Sequence, residues 1–218
     1  MSSSKFSVRK VAVLGAGVMG AQIAAHLANA NVPVILFDLP AREGDPNGIV
    51  NKAIEGLKKL EPSPLATKDR VAYIDAANYA TGLPRLAECD LLIEAIAERM
   101  DWKHELYAKV APHVAPHAIF ATNTSGLSIN ELASALPAAL RPRFCGIHFF
   151  NPPRYMQLVE LIPTPGSDAG MLDDLETFVT RTLGKGVVRA KDTPNFVANR
   201  VGIAGMMATM IEAEKFGL

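Results

Sequence analysis

VRKVAVLGAGVMGAQIAAHLANANVPVILFD, Val8 to Asp38, decides the fold. Val8 to Leu14 reads as a short buried strand. AQIAAHLANA is helix-forming with one apolar face, and VPVILFD is a second strand. Between the first strand and the helix stand Gly15, Gly17 and Gly20, spaced G-x-G-x-x-G. Gly15 permits the tight turn. Gly17 lets the backbone approach a diphosphate, and Gly20 lets helix and strand pack closely. The helix start at Val18 and Met19 offers free N–H groups and a partial positive charge to phosphates. A strand, glycine turn, helix and strand within about 30 residues form the unit of a doubly wound, mostly parallel α/β sheet. Asp38 closes the second strand. A carboxylate there accepts hydrogen bonds from both ribose hydroxyls and repels a 2′-phosphate, so NAD is favoured over NADP. Arg42, four residues on, is the counter-signal. The competing reading is a Rossmann domain whose glycines serve packing alone.

Further along, the loop Pro40 to Gly48 leads to helical stretches at Ile49 to Leu60 and Thr67 to Ile74. Asp90 to Ala97 is expected as a buried strand, Asp101 to Val110 as a helix, and Ala118 to Ala121 as a strand. Ser128 with Glu131 three residues later marks a helix start. Then the rhythm changes. Phe144 to Phe149 and Leu158 to Ile162 read as a strand pair joined by NPPRYMQ. A helix (Ser167 to Leu183), a last strand (Gly186 to Ala190) and a long helix (Phe196 to Phe216) complete the chain.

The 22 basic and 22 acidic residues cancel, which gives no electrostatic argument for nucleic acid or an anionic membrane. No apolar run reaches a membrane span. Cys89 and Cys145 both fall in runs read as buried strands, and two free thiols fit a reducing compartment. The short polar start MSSSKFSVRK leaves no room for a secretory signal or a long transit peptide. The expected location is cytoplasmic, with the mitochondrial matrix as the alternative if a transit peptide was removed.

Four blocks carry a family likeness. EAIAERMDWK (Glu94 to Lys103), TNTSGLSI (Thr122 to Ile129), GIHFFNPPRYMQLVELI (Gly146 to Ile162) and DTPNFVANR (Asp192 to Arg200) occur in order. Together they resemble the 3-hydroxyacyl-CoA dehydrogenases of fatty-acid β-oxidation, from about Val8 onward. The resemblance implies an L-3-hydroxyacyl-CoA substrate, NAD as cofactor and a 3-ketoacyl-CoA product. It implies His148 as base, Glu160 as its partner, and Ser125 and Asn199 beside the reacting oxygen. It also implies Ala97, Glu98, Lys103, Ser125 and Asn151 near the cofactor. For each single polar residue the plainer reading is a turn or cap role, Asn123 above all.

Strand geometry reaches a compatible answer for the central pair. A hairpin centred near Arg154 places His148 opposite Glu160. Directly opposed residues have Cβ atoms about 4.5–5.5 Å apart. A Glu beside a His orients the ring and steadies the charge it gains on taking a proton from a substrate hydroxyl.

Other constellations fail. Cys145 and His148, three apart in a strand, face opposite sides. His113 and His117 have helical spacing, but Pro112 and Pro116 break the helix that a metal pair needs, so no metal site is expected. Ser125 lacks a hydrolase elbow. Lys52, Lys58 and Lys59 could meet the 3′-phosphate of CoA, although a solvated helix face is the stronger reading.

Family members carry a helical domain after the Rossmann domain, and it supplies much of the dimer interface. The expected division is 1–195 for the NAD-binding domain and 196–218 for the first helix of a C-terminal helical domain. A chain of this length is expected to bind NAD yet turn over acyl-CoA poorly. Val197, Val201, Ala204, Met207, Met210 and Ile211 give that helix an apolar face, part of it expected to belong against the second domain. The insertion at Pro40 to Asn47 looks like the long multifunctional proteins that add a hydratase-type domain. Two other functions stand beside the leading one. One is a dehydrogenase of another 3-hydroxy substrate, such as hydroxybutyryl-CoA, a hydroxy acid or a sugar acid. The other is a non-catalytic NAD-binding relative, against which four intact polar residues argue.

Overall fold

The computed structural model describes residues 7–217, so the start of the polar N-terminal stretch and Leu218 lie outside the described residues. Six strands run parallel: β1 (Val11–Leu14), β2 (Val34–Asp38), β3 (Ile74–Asn78), β4 (Leu91–Glu94), β5 (Ile119–Thr122) and β6 (Phe144–Phe149). β7 (Leu158–Pro163) is antiparallel to β6, and β8 (Gly186–Arg189) is parallel to β7. The order across the sheet is β3-β2-β1-β4-β5-β6-β7-β8. It reverses direction between β1 and β4, where open α/β sheets leave a crevice at the carboxyl ends of their strands.

Side chains alternate between two cores. Val11, Val13, Leu36, Ile93 and Ile147 pack under α1 (Val18–Asn29), α2 (Gly48–Leu57) and α5 (Ala169–Arg181). Leu14, Phe37, Leu92, Phe120 and Phe144 pack under α3 (Met100–Val110) and α4 (Ile129–Ser134). The parallel strands bury both faces, which explains why they read as continuous apolar runs. Cys145 belongs to the first core, on the face opposite His148, as the spacing requires.

Three expectations need correction. The stretch Thr67 to Ile74 is a 3₁₀ turn (Lys68–Tyr73), and Ile74–Asn78 is the edge strand β3. Its sequence IDAAN carries a single β-branched residue, Ile74, alongside Asp, Ala and Asn, which are depleted in strands. The strand expected over Asp90 to Ala97 is confined to Leu91–Glu94, with Ala95 to Ala97 turning into a loop. Cys89 precedes β4 instead of lying within it. Both thiols are free and buried, and burial pushes each up to about 12.

The β6–β7 connection is pinned from outside. Lys185 donates from Nζ to the carbonyls of Pro153 at 2.5 Å and Met156 at 2.8 Å, and Arg154 donates to the carbonyls of Ser63 and Leu65. Nearby, His26 of α1 meets the Leu183 carbonyl at 3.1 Å. Burial, then the charge of Lys185, lowers the His26 pKa from 6.5 to about 4. Native His26 is therefore neutral where the unfolded chain takes a proton, so its contribution is complete above about 6.5 and is lost as pH falls toward about 4. The loss should approach about 3 kcal/mol. Urea unfolding of the parent and of His26→Gln across that window should show a steeper acid decline in the parent; parallel curves would refute the assignment.

Candidate active site

The glycine turn has the stereochemistry its spacing demands. Gly15 sits at φ +110°, and a Cβ there would meet the Ala95 carbonyl oxygen at 2.8 Å. A Cβ on Gly20 would lie 1.8 Å from the Gly15 oxygen. A Cβ on Gly17 would project into open space, the space a diphosphate needs. No side chain caps α1, and no acid stands in its first turn, so its N–H groups are left for an anion. Val18 is exposed there and Met19 half-buried. Asp38 accepts from the Ala16 N–H at 2.6 Å and the Leu39 N–H at 2.7 Å, which ties the end of β2 to the glycine turn. Gly15, Gly17, Asp38 and Ala97 line one cavity of about 520 Å³, while Arg42 does not reach its wall. These residues fit an NAD adenosine diphosphate.

The second assembly lies at the carboxyl end of β6. His148 pairs in register with Glu160 across the hairpin, and His148 Nδ1 lies 2.8 Å from Glu160 Oε2. Both are buried. The other carboxylate oxygen, Oε1, accepts from the backbone N–H of Val197 at 3.0 Å and Ala198 at 2.9 Å. These residues open α6 (Ala198–Lys215). Asn195 and Phe196 just before them take φ +62° and +47°, a conformation costly for Phe. That kink aims the two N–H groups at Glu160. Phe150 and Phe196 flank the imidazole at 4.4 Å and 5.7 Å between ring centroids. Nε2 has no partner among the described residues, and it is not sealed from solvent. Asn199, one residue beyond Ala198, makes no side-chain hydrogen bond among the described residues.

Ser125 follows β5 on its loop. Its hydroxyl donates to Glu98 Oε1 at 2.9 Å, its N–H reaches the same oxygen, and Thr124 Oγ1 donates to Oε2. Partial burial alone would raise the Glu98 carboxyl, but these hydrogen bonds outweigh it and hold the group below the usual carboxylate range. Asn123 accepts from the Phe149 N–H at 2.9 Å, joining the β5 loop to β6. This is the loop role expected of it. Asn151 accepts from Gln22 of α1 at 3.5 Å.

Lys103 does not present its ammonium to the cavity surface. It is fully buried and pairs with Glu94 at 2.6 Å. Glu94 also accepts from the Ile96 N–H, Tyr107 and Thr122. The reading missed Glu94, although an acid ending the apolar run LLIE was a visible signal. It also missed Asp192, which accepts from Ser128 and from the N–H groups of Ile129 and Asn130 at the start of α4. Lys58 pairs with Glu55, Lys52 is exposed on α2, and Lys59 is exposed in the turn after it, a solvated surface. No group of His, Cys, Asp and Glu able to hold a metal occurs among the described residues.

Residues 10–193 match the family described as 3-hydroxyacyl-CoA dehydrogenase, NAD binding domain. The chain belongs to this family. It is 43% identical over 213 residues to the probable 3-hydroxyacyl-CoA dehydrogenase of Deinococcus radiodurans, covering 97% of this chain and 61% of that protein. It is 45% identical over 196 residues to the putative fatty acid oxidation complex trifunctional enzyme of Rickettsia felis, covering 89% and 27%. The crystal structure of M. tuberculosis FadB2 superposes with a TM-score of 0.79 at 31% identity, covering 97% of this chain and 74% of that one. The chain thus spans less than two thirds of these two curated relatives. The cofactor of the family domain is NAD.

The buried Glu94–Lys103 pair supports the loop that carries Glu98. Removing one partner leaves an uncompensated buried charge, which costs about 3–5 kcal/mol. Lys103→Met should lose that much in urea unfolding, and adding Glu94→Gln should recover part of it. A single variant as stable as the parent would show that the pair contributes nothing.

Proposed function

We propose that the protein oxidises L-3-hydroxyacyl-CoA to 3-ketoacyl-CoA in fatty-acid β-oxidation, with His148 as the base. The observation that carries this reading is the His148–Glu160 contact with Nε2 left free. A buried carboxylate on Nδ1 selects the tautomer with the proton on Nδ1 and the lone pair on Nε2. That lone pair takes the hydroxyl proton of the substrate, and Glu160 stabilises the resulting imidazolium. NAD, when bound, accepts the hydride from C3. The Ser125 O–H is committed to its hydrogen bond with Glu98, so the hydroxyl oxygen offers lone pairs and accepts a hydrogen bond from the carboxamide or the substrate hydroxyl. The unpaired Asn199 amide donates to the oxygen on C3. Asn151 holds the nicotinamide ribose side.

The same reading assigns 1–195 to the NAD-binding domain and α6 to a second, helical domain of the full-length protein. Every described side chain of α6 is at least partly exposed, including Val201, Met207, Met210 and Ile211. An apolar face of that kind is a packing surface. The full-length protein is a homodimer in this reading, and its free thiols fit the cytoplasm. No helix among the described residues is long and apolar enough to cross a membrane.

The test is NADH consumption with acetoacetyl-CoA by the full-length protein. His148→Gln should lower kcat about 10³-fold while NADH affinity stays within twofold. Wild-type inactivity toward acyl-CoA, with turnover of a free 3-hydroxy acid, would move the substrate assignment. Full activity of the variant would remove His148 from the chemistry.

A further inference from the structure

The cavity that begins at the glycine turn does not end at Asp38. Beyond it, Leu39, Tyr79, Ile96 and Trp102 form an apolar, aromatic wall, with Glu105 and Lys109 of α3 at the rim. A diphosphate at Gly17 and a ribose at Asp38 leave one part of the adenosine half to be placed, a flat heteroaromatic base. We propose that Trp102 is the platform on which the adenine ring of NAD lies. This rests on the NAD reading and adds a residue for which the glycine motif has no place.

Two observations support Trp102 beyond its position. The indole is held in place before any ligand arrives. The Arg99 guanidinium lies 4.5 Å from the ring centroid without lining the cavity, and Asp101 holds that guanidinium through two hydrogen bonds at 3.1 Å and 2.6 Å. Pre-ordering of this kind removes part of the entropic cost of binding. Independently, Tyr79 in the same wall is 4% exposed, and its buried hydroxyl has no hydrogen-bond partner. Its ring is fixed by stacking on Phe37 at 6.0 Å. Burial, with the charges of Asp38 and Glu94, keeps the phenol protonated. The fixed Tyr79 ring adds a second flat aromatic surface to the wall, which suits a flat heteroaromatic ligand. Glu105, at the rim, can accept from an exocyclic amino group.

Trp102 is the chain's single tryptophan, so indole emission reports this site alone. ADP-ribose, which carries the adenosine half without nicotinamide, should quench that emission. Nicotinamide mononucleotide at the same concentration should not. Free CoA carries adenine on a 3′-phosphorylated ribose that Asp38 repels, so it should quench only at much higher concentration. By calorimetry, Trp102→Ala should weaken ADP-ribose binding about tenfold, as loss of a base–aromatic stack does, and Trp102→Phe should restore most of it. Trp102 is half exposed, so neither change opens the core. Binding of ADP-ribose by Trp102→Ala within twofold of the parent, or stronger quenching by CoA or the mononucleotide, overturns the platform while leaving the NAD reading standing. Absence of ADP-ribose binding by the parent overturns both.

Discussion

The carboxylate of Glu160 has two oxygens, and each is committed to a different part of the structure. Oε2 holds the imidazole of His148, and Oε1 holds the first two N–H groups at the start of α6. A fully buried carboxylate is tolerated only when its acceptor capacity is met. Here one ring nitrogen and two main-chain donors meet it without an arginine or lysine. The arrangement requires the His148↔Glu160 register. A slip of one residue would turn every side chain of β7 to the other face. It also requires the left-handed pair Asn195 and Phe196, because a smoothly extended approach would aim the Val197 and Ala198 N–H groups elsewhere. The tautomer of the histidine, the hairpin register and the entry of a helix are thus set by one side chain.

The same device recurs elsewhere in the structure. Asp38 accepts from Ala16 and Leu39, Glu94 from Ile96, Glu98 from Ser125, and Asp192 from Ile129 and Asn130. Each acid takes backbone N–H groups of a loop or of a helix start. Charge-assisted hydrogen bonds of this type are stronger than neutral ones. Loops are normally the mobile part of an α/β domain, and here Asp38 and Glu94 anchor them to the ends of β2 and β4. Glu94 alone among these carboxylates has a buried lysine as well. The charge of that lysine, Lys103, also reaches Glu98, so the support under the β4 loop and the acceptor of the Ser125 hydrogen bond are electrostatically linked.

What the sequence disclosed follows from the range of each interaction. The glycine turn is local, so Gly15, Gly17 and Gly20 could be assigned from spacing, and the structure supplies the clashes that explain them. The His148–Glu160 contact spans twelve residues but is carried by a hairpin, so strand periodicity was enough to place it. Contacts that cross the sheet were not readable. Glu98 and Ser125 are 27 residues apart on the loops after β4 and β5, and their contact requires the strand order. Lys103 lies on a helix, and nothing local in its sequence shows that it is fully buried on Glu94. β3 went unseen because edge position, not apolar pattern, makes it a strand.

α6 shows how a weakly supported element can matter to the chemistry. An isolated helix is marginal in water, since most helical stability in proteins comes from packing of an apolar face. This helix buries no described side chain, and its apolar residues Val201, Met206, Met207 and Met210 are all exposed. Its firmest ties to the domain are at its first turn, where Val197 and Ala198 reach Glu160 and Phe196 is buried against His148. A swing of α6 about that point cannot leave the imidazole unaffected, because the bonds that would break are made to the carboxylate that orients the ring.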